Sequence, residues 1–298
     1  MPLTLVLGGG GSAAIAWHVG VLAGLAEENV RLDPDQVIGT SAGAIVATQL
    51  TGPAGLAALY ERALTPPPQH LPAVDFPALM SRLGEIGAGA SGAREGRRRI
   101  GEFALAAQTM SEADRRAEIA SRLGRTSWPD RPALLITAVD AGTGEFVTFH
   151  RASDVELLDA VGASAAVPGV WPPVSINGVR YVDGAVRSPT NASAATGAST
   201  VLVLAPLLPP GGVQRELSRL DPPPASIVLT ADEAALTAFG PNPLDAGVSA
   251  ASAAAGRRQG RAAADDVRRL LAAHRGEGAC ADHAAGVDVT GRADSSDR

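Results

Sequence analysis

The sequence predicts an α/β protein in which a mostly parallel sheet carries helices on both faces. Three observations lead there. Leu3–Leu7 is a short, continuously apolar run of the kind a strand buried on both faces needs, and it opens into four glycines at residues 8–11. A second apolar pair, Val37 and Ile38, runs into Gly39-Thr40-Ser41-Ala42-Gly43, and an alanine- and valine-rich helical pattern continues to Leu50. Two successive strand–loop–helix units of this kind give parallel strands joined by crossover helices, with the functional loops at the carboxyl ends of the strands.

The first unit is the strand, the glycine run and a helical pattern over residues 13–28. The run lacks the lysine of a phosphate-binding G-x-x-x-x-G-K-[ST] loop, and Ala13 stands where a dinucleotide fingerprint needs its third glycine. Backbone without side chains at this position suits an oxyanion hole, with a tight structural turn as the plain alternative. The second unit has the layout of a nucleophile elbow, in which a sharp strand-to-helix turn presents Ser41 and the glycines Gly39 and Gly43 remove colliding side chains. Ser41 then stands at a helix N-terminus, where backbone N–H groups and the helix dipole favour developing negative charge.

Residues 53–131 carry a proline break at Pro66-Pro67-Pro68 and helical patterns near 76–85, 100–108 and 112–123. Between the first two lies a glycine-rich loop, 87–96, leading to Arg97-Arg98-Arg99, which read as solvated arginines. An insertion like this forms a cap over an active site. A strand over 133–139 turns at 140–144 into a second strand, and a helix over 154–165 follows. Asn177-Gly178 between two apolar runs marks a hairpin with a type I′ turn, and Asp183-Gly184-Ala185 stands directly after it. A helix near 189–196, strands over 201–205 and 226–230 and one long helix ending near His274 complete the core. Residues 276–298 are rich in Gly, Ala and Asp without apolar periodicity and are expected to form a disordered tail.

The composition narrows the function classes. The chain has 298 residues, of which 46% are hydrophobic and 19% charged, enough for a sizeable core in a globular protein. All 25 basic residues are arginine, and the net charge of −6 argues against a nucleic-acid partner, which calls for a basic face. One cysteine, Cys280, excludes an internal disulfide and fits a reducing compartment. No apolar run reaches the length of a membrane span, so the expectation is a cytoplasmic protein that can touch a membrane surface peripherally.

A serine hydroxyl needs a base. Of the five histidines, His18 lies inside the first helix, His70 in the proline-rich stretch and His150 after a strand, while His274 and His283 lie at or beyond the last helix. None stands in a context that demands catalysis. Asp183, at a strand end beside Gly184, is the better candidate, because partial burial would make a carboxylate a stronger base than its ordinary pKa of about 3.9 allows. A turn aspartate capping the next segment is the structural alternative.

The glycine run at residues 8–11, the elbow at Gly39-Thr40-Ser41-Ala42-Gly43 and Asp183-Gly184-Ala185 occur in the order seen in patatin-like phospholipases. The stretch Ala163-Ser164-Ala165-Ala166-Val167-Pro168-Gly169 and the span from Leu3 to about His274 are also similar to that family. The resemblance implies a three-layer α/β/α fold spanning residues 1–275, with a helical insertion at about 65–131. It implies hydrolysis of lipid acyl esters by a Ser-Asp dyad, without metal or cofactor. By position, Ser41 is the nucleophile, Asp183 the base, and the backbone of Gly9, Gly10 and Gly11 the oxyanion hole. One departure is visible: the family usually has Arg or Lys followed by Gly shortly after the glycine run, where this chain has Ala13 and Ala14. Oxyanion stabilisation is then left to backbone amides and the helix end. The rival readings are a small-ester carboxylesterase and a catalytically weak member that binds lipid or a partner protein.

Overall fold

The computed structural model describes residues 2–66, 74–207 and 211–284. Among the described residues eight strands form one mixed sheet: β1 (Leu3–Leu7), β2 (Gln36–Gly39), β3 (Ala133–Asp140), β4 (Phe146–Phe149), β5 (Val174–Ile176), β6 (Val179–Asp183), β7 (Thr200–Ala205) and β8 (Ala225–Thr230). The hydrogen-bonded path runs β5-β6-β3-β2-β1-β7-β8, with β4 on β3. The five strands from β3 to β8 along this path are mutually parallel, and β4, β5 and β6 supply the antiparallel pairings. Every residue of β1 is buried, as befits a central strand covered on both faces.

Side chains alternate between the two faces of the sheet. Leu3, Leu5 and Leu7 join the larger apolar cluster, while Val6 and Ile38 point into a second cluster on the other face. The first face is covered by α1 (Gly11–Glu27), α2 (Ala42–Leu50), α6 (Glu112–Leu123), α7 (Leu157–Ser164), α10 (Ser249–Ala262) and α11 (Ala264–Ala284). The second face is thinner, with α8 (Gly212–Leu217) packed there and Ala104 of α5 (Ala93–Ala106) set against Val139 and Val182. The expected three-layer α/β/α arrangement is therefore present. At its edge, α4 (Phe76–Ala88) packs on α5 and has no buried residue.

Helices α1 and α10 touch backbone to backbone. A methyl group at Gly20 would lie 2.2 Å from the Ala253 carbonyl oxygen, and one at Gly256 would lie 2.3 Å from that of Trp17. Gly24 and Gly260 repeat the contact one turn further on. Trp17 ties the pair polar-side as well, its Nε1–H donating to Gln259 Oε1 at 2.8 Å.

Several expectations need correction. Arg97, Arg98 and Arg99 lie inside α5, because Glu95 holds Arg98 and Arg99 one turn away and Arg97 donates to the Gly144 carbonyl. The single long C-terminal helix is two helices that part at Ala263, and the second runs to Ala284, ten residues past His274. The helix expected near 189–196 is only a short 3₁₀ turn, Ala192–Ala194. Helices α3 (Leu56–Leu64), α8 and α9 (Glu233–Phe239) are not among the elements expected from sequence. His70, most of the proline break and residues 285–298 of the expected tail lie outside the described residues.

Candidate active site

Strand register builds the site. Leu7 of β1 stands opposite Gly39 of β2 and Leu204 of β7, so the glycine run and the elbow leave the sheet at one level. Gly39 also pairs with Ile136 of β3, and Ala138, two residues further along β3, pairs with Asp183 at the end of β6. Both Ile136 and Ala138 have β4 on their other side, so β2 and the antiparallel β6 share one edge of β3. Their carboxyl ends therefore point at each other across the single residue Thr137.

That end-to-end meeting brings Ser41 Oγ to 2.6 Å from Asp183 Oδ2, with the hydroxyl donating. Ser41 adopts φ 55°, ψ −118°, a strained conformation for a residue with a side chain, and its N–H donates to Ser164 Oγ at 2.9 Å. The elbow tolerates no bulk: a methyl group at Gly39 would approach Ala44 Cα to 2.5 Å, and one at Gly43 would approach the Leu7 oxygen to 1.9 Å. Gly184 is equally confined, 2.3 Å from Thr137 Oγ1 by the same measure, which keeps Asp183 close to β3.

Asp183 is 2% exposed, and its Oδ1 accepts from the Ala185 N–H at 2.8 Å. Burial pushes its carboxyl up to about 7, against the smaller opposing pull of the Ser41 hydroxyl and the Ala185 amide. Beneath the pair, Asn191 Nδ2 lies 2.9 Å from the Ser188 oxygen, 3.1 Å from that of Gly184, and within 3.3 Å of Thr40 Oγ1 and Thr137 Oγ1. The two threonine hydroxyls are themselves 2.8 Å apart. This network joins the elbow, β3 and the turn after Asp183.

The glycine run is divided. Gly8 N–H donates to the Leu204 oxygen and Gly9 N–H to the Pro189 oxygen, both in full hydrogen bonds. Gly9 therefore cannot serve as a free donor, contrary to the expectation for all three glycines; its role is spatial, since a side chain there would press on Ser41 Cβ at 3.2 Å. Among the described residues, the N–H groups of Gly10 and Gly11, at the start of α1, donate to no protein acceptor. Ala13 and Ala14 are fully buried, and no cation stands at their place.

A cavity of about 480 Å³ opens onto Ser41, Asp183 and the glycine run, walled by Phe76, Met80 and Leu83 of α4, Ile100 of α5, Val167 and Leu207. Among the described residues no histidine lines it. His18 is buried under the sheet with Nε2 3.3 Å from the Leu204 oxygen, and burial drives its pKa down to about 3, so it is a neutral packing residue. His150 is exposed, and His274 Nδ1 lies 3.1 Å from Thr200 Oγ1. Sequence reasoning missed Ser164 and Asn191 as partners of the site. Ser164 stands in a family-like stretch that gives it no task, and Asn191 carries no local signal.

Residues 5–196 match the family described as patatin-like phospholipase. The chain belongs to that family. Membership places this patatin-like protein among lipid hydrolases. No curated protein matches the sequence. Among solved structures it is similar to VipD from Legionella pneumophila, at 13% identity and TM-score 0.39, over 89% of this chain and 67% of that one. It is also similar to the type III effector protein ExoU, at 17% identity and TM-score 0.34, over 87% of this chain and 53% of that one. The patatin-like chain thus spans about two thirds of the first and about half of the second. Among its described residues no helix is long and apolar enough to cross a membrane.

Proposed function

We propose that this chain is a serine acyl hydrolase that cleaves carboxylic esters of lipids through a Ser41–Asp183 dyad. The observation that carries the reading is the 2.6 Å hydrogen bond from Ser41 Oγ to Asp183 Oδ2 at the mouth of an apolar cavity. Ser41 Oγ attacks the ester carbonyl while ionised Asp183 takes its proton. The N–H groups of Gly10 and Gly11, at the positive end of α1, hold the tetrahedral oxyanion. Asp183 returns the proton to the departing alcohol. It then takes a proton from water, whose hydroxide displaces the fatty acid from Ser41, and Ser41 Oγ recovers the proton.

The acyl chain occupies the cavity walled by α4 and α5, which makes these two helices the cap of a catalytic domain spanning 1–275. Met80, 38% exposed at that wall, gives α4 an apolar contact with the lipid surface from which substrate is drawn. The buried Ala13 favours a second reading, a catalytically weak lipid binder. Losing one good oxyanion donor costs about a hundred- to a thousandfold in rate.

The test is labelling by a fluorophosphonate, with the labelled residue mapped by mass spectrometry, alongside hydrolysis of a short-chain chromogenic ester. Wild type is expected to label at Ser41 and to turn over. Ser41→Ala and Asp183→Asn are each expected to lose about 10⁴-fold or more in kcat, as happens when one member of such a unit is removed. Undiminished hydrolysis by Ser41→Ala removes the reading; lipid binding without labelling selects the weak binder.

A further inference from the structure

A second, narrower cleft also reaches Ser41, and its chemistry is different. The two share only Gly11, Ser41, Val167 and Leu244. The narrow cleft is bounded by the first residues of α1 and α2, Gly11 and Ala42, and by the guanidinium-bearing side chains of Arg115 and Arg122 from α6. It continues outward along Ile15, Ile45 and Arg122 to Arg62 of α3. Among the described residues no carboxylate lines either part.

The positive charge here is costly and concentrated. The Arg115 side chain is 7% exposed, lies with Cζ 3.7 Å above the Trp171 ring, and pairs with Glu118 at 2.6 Å. Burial pulls its pKa down to about 10, so it remains cationic at neutral pH, and Arg122 adds to that pull by repulsion. Arg122 in turn is lowered by burial and by Arg62, against the opposing pull of Glu118. Arg115 and Arg122 thus share the carboxylate of Glu118, while Arg62, exposed and donating to the Ser121 carbonyl at 3.0 Å, adds its charge beside Arg122. The ends of two helices of nine or more residues add partial positive charge at the same opening. Buried charge of one sign is strongly unfavourable unless something compensates it.

The cleft is also small. Its volume is about 30 Å³, against the roughly 10–15 Å³ that one water requires. It is too small for an acyl chain. Arginine pairs and helix N-termini both favour the tetrahedral oxygens of phosphate.

We propose that the Arg115–Arg122 cleft is a phosphate subsite adjoining Ser41. The proposal rests on the hydrolase reading for its use: the acyl chain enters the apolar cavity while the phosphate of the alcohol portion sits among the arginines. The scissile ester is thereby placed over Ser41, which both openings share. The same chemistry would also accept free inorganic phosphate.

Two measurements separate these sources and test the site. The first is thermal unfolding of the full chain in inorganic phosphate against chloride at matched ionic strength. Wild type is expected to gain several degrees in millimolar phosphate, because a ligand of the native state alone stabilises it, and Arg122→Gln to lose that gain. The second compares kcat/KM for dihexanoyl phosphatidic acid and dihexanoylglycerol, two esters that differ in the phosphate. The ratio is expected to favour the phosphatidic acid and to fall at least tenfold in Arg122→Gln, with Arg115→Lys retaining part of it. A lone phosphate gain without ester preference supports the site with free phosphate as its ligand. Absence of both effects in wild type overturns the subsite, an outcome that does not depend on any variant folding. If neither ester is cleaved and Ser41 does not label, the hydrolase reading has failed, while the unfolding measurement still reads the cleft.

Discussion

At Gly43 an added methyl group would stand 1.9 Å from a backbone oxygen, whereas at Gly84 of α4 it would meet nothing within 4 Å. One glycine is packed behind the elbow on β1 and the other lines the cavity, and they obey opposite rules. Around the elbow, Thr40, Ser41, Ala42 and Gly43 are all buried, and strand register leaves the serine a single place to stand. Across the cavity, α4 buries none of its residues and offers Phe76, Met80 and Leu83 as a loose apolar wall. The close contacts of Ser41 and Asp183 are carried by the sheet rim, and the facing apolar wall is carried by an element free to vary.

The sharpest way to break this contrast is Gly43→Ala. Two backbones would have to separate, so the expected cost exceeds about 4 kcal/mol and little soluble protein should be recovered, as chemical denaturation or expression yield will show. Asp183→Asn comes next, with the opposite sign. The wild-type carboxyl keeps its proton up to about 7 when folded but releases it near 3.8 when unfolded. Its contribution is thus intact at low pH and is lost as pH rises between those values, to about 4 kcal/mol at most. The Asn variant should be indistinguishable from wild type in unfolding free energy near pH 4 and more stable at neutral pH.

The same proton sets the rate. Only ionised Asp183 accepts from Ser41, so kcat/KM should be level above about pH 7 and fall tenfold per unit below it, in a pH–rate profile. Asn191→Ala removes the amide that joins Thr40, Thr137 and Gly184, and it should lower kcat about ten- to a hundredfold with little change in KM. The smallest effect belongs to the loose wall. Gly84→Ala should leave kcat unchanged and raise stability by at most about 1 kcal/mol, since it only restricts the unfolded chain and favours the helix.

The contrast also explains what is legible in the sequence. Short-range constraint writes itself locally: the β1 run, the G-x-S-x-G turn and the Asn177-Gly178 hairpin, with φ 50° and 80°, all follow from residues next to one another. Asp183 is legible as a strand-end carboxylate, although its distance to Ser41 is not. Partners set by pairing register leave no such trace. Ser164 reaches Ser41 across 123 positions, and Arg115 enters the site from a helix whose pattern announces only an amphipathic surface. In α5 the abundance of glycine masks a helix that Glu95 fastens with two arginines. The break at Ala263 falls among alanines and arginines that carry no stop signal.

The backbone contact between α1 and α10 has a consequence for how this protein is dissected. The span shared with the family ends at residue 196, so it holds Ser41, Asp183 and the glycine run but neither α10 nor the strands β7 and β8, of which β7 flanks β1. A fragment cut there would contain both the elbow and Asp183 and still expose Gly20 and Gly24 of α1. The matched part of the chain borrows its rigidity from the part that follows it.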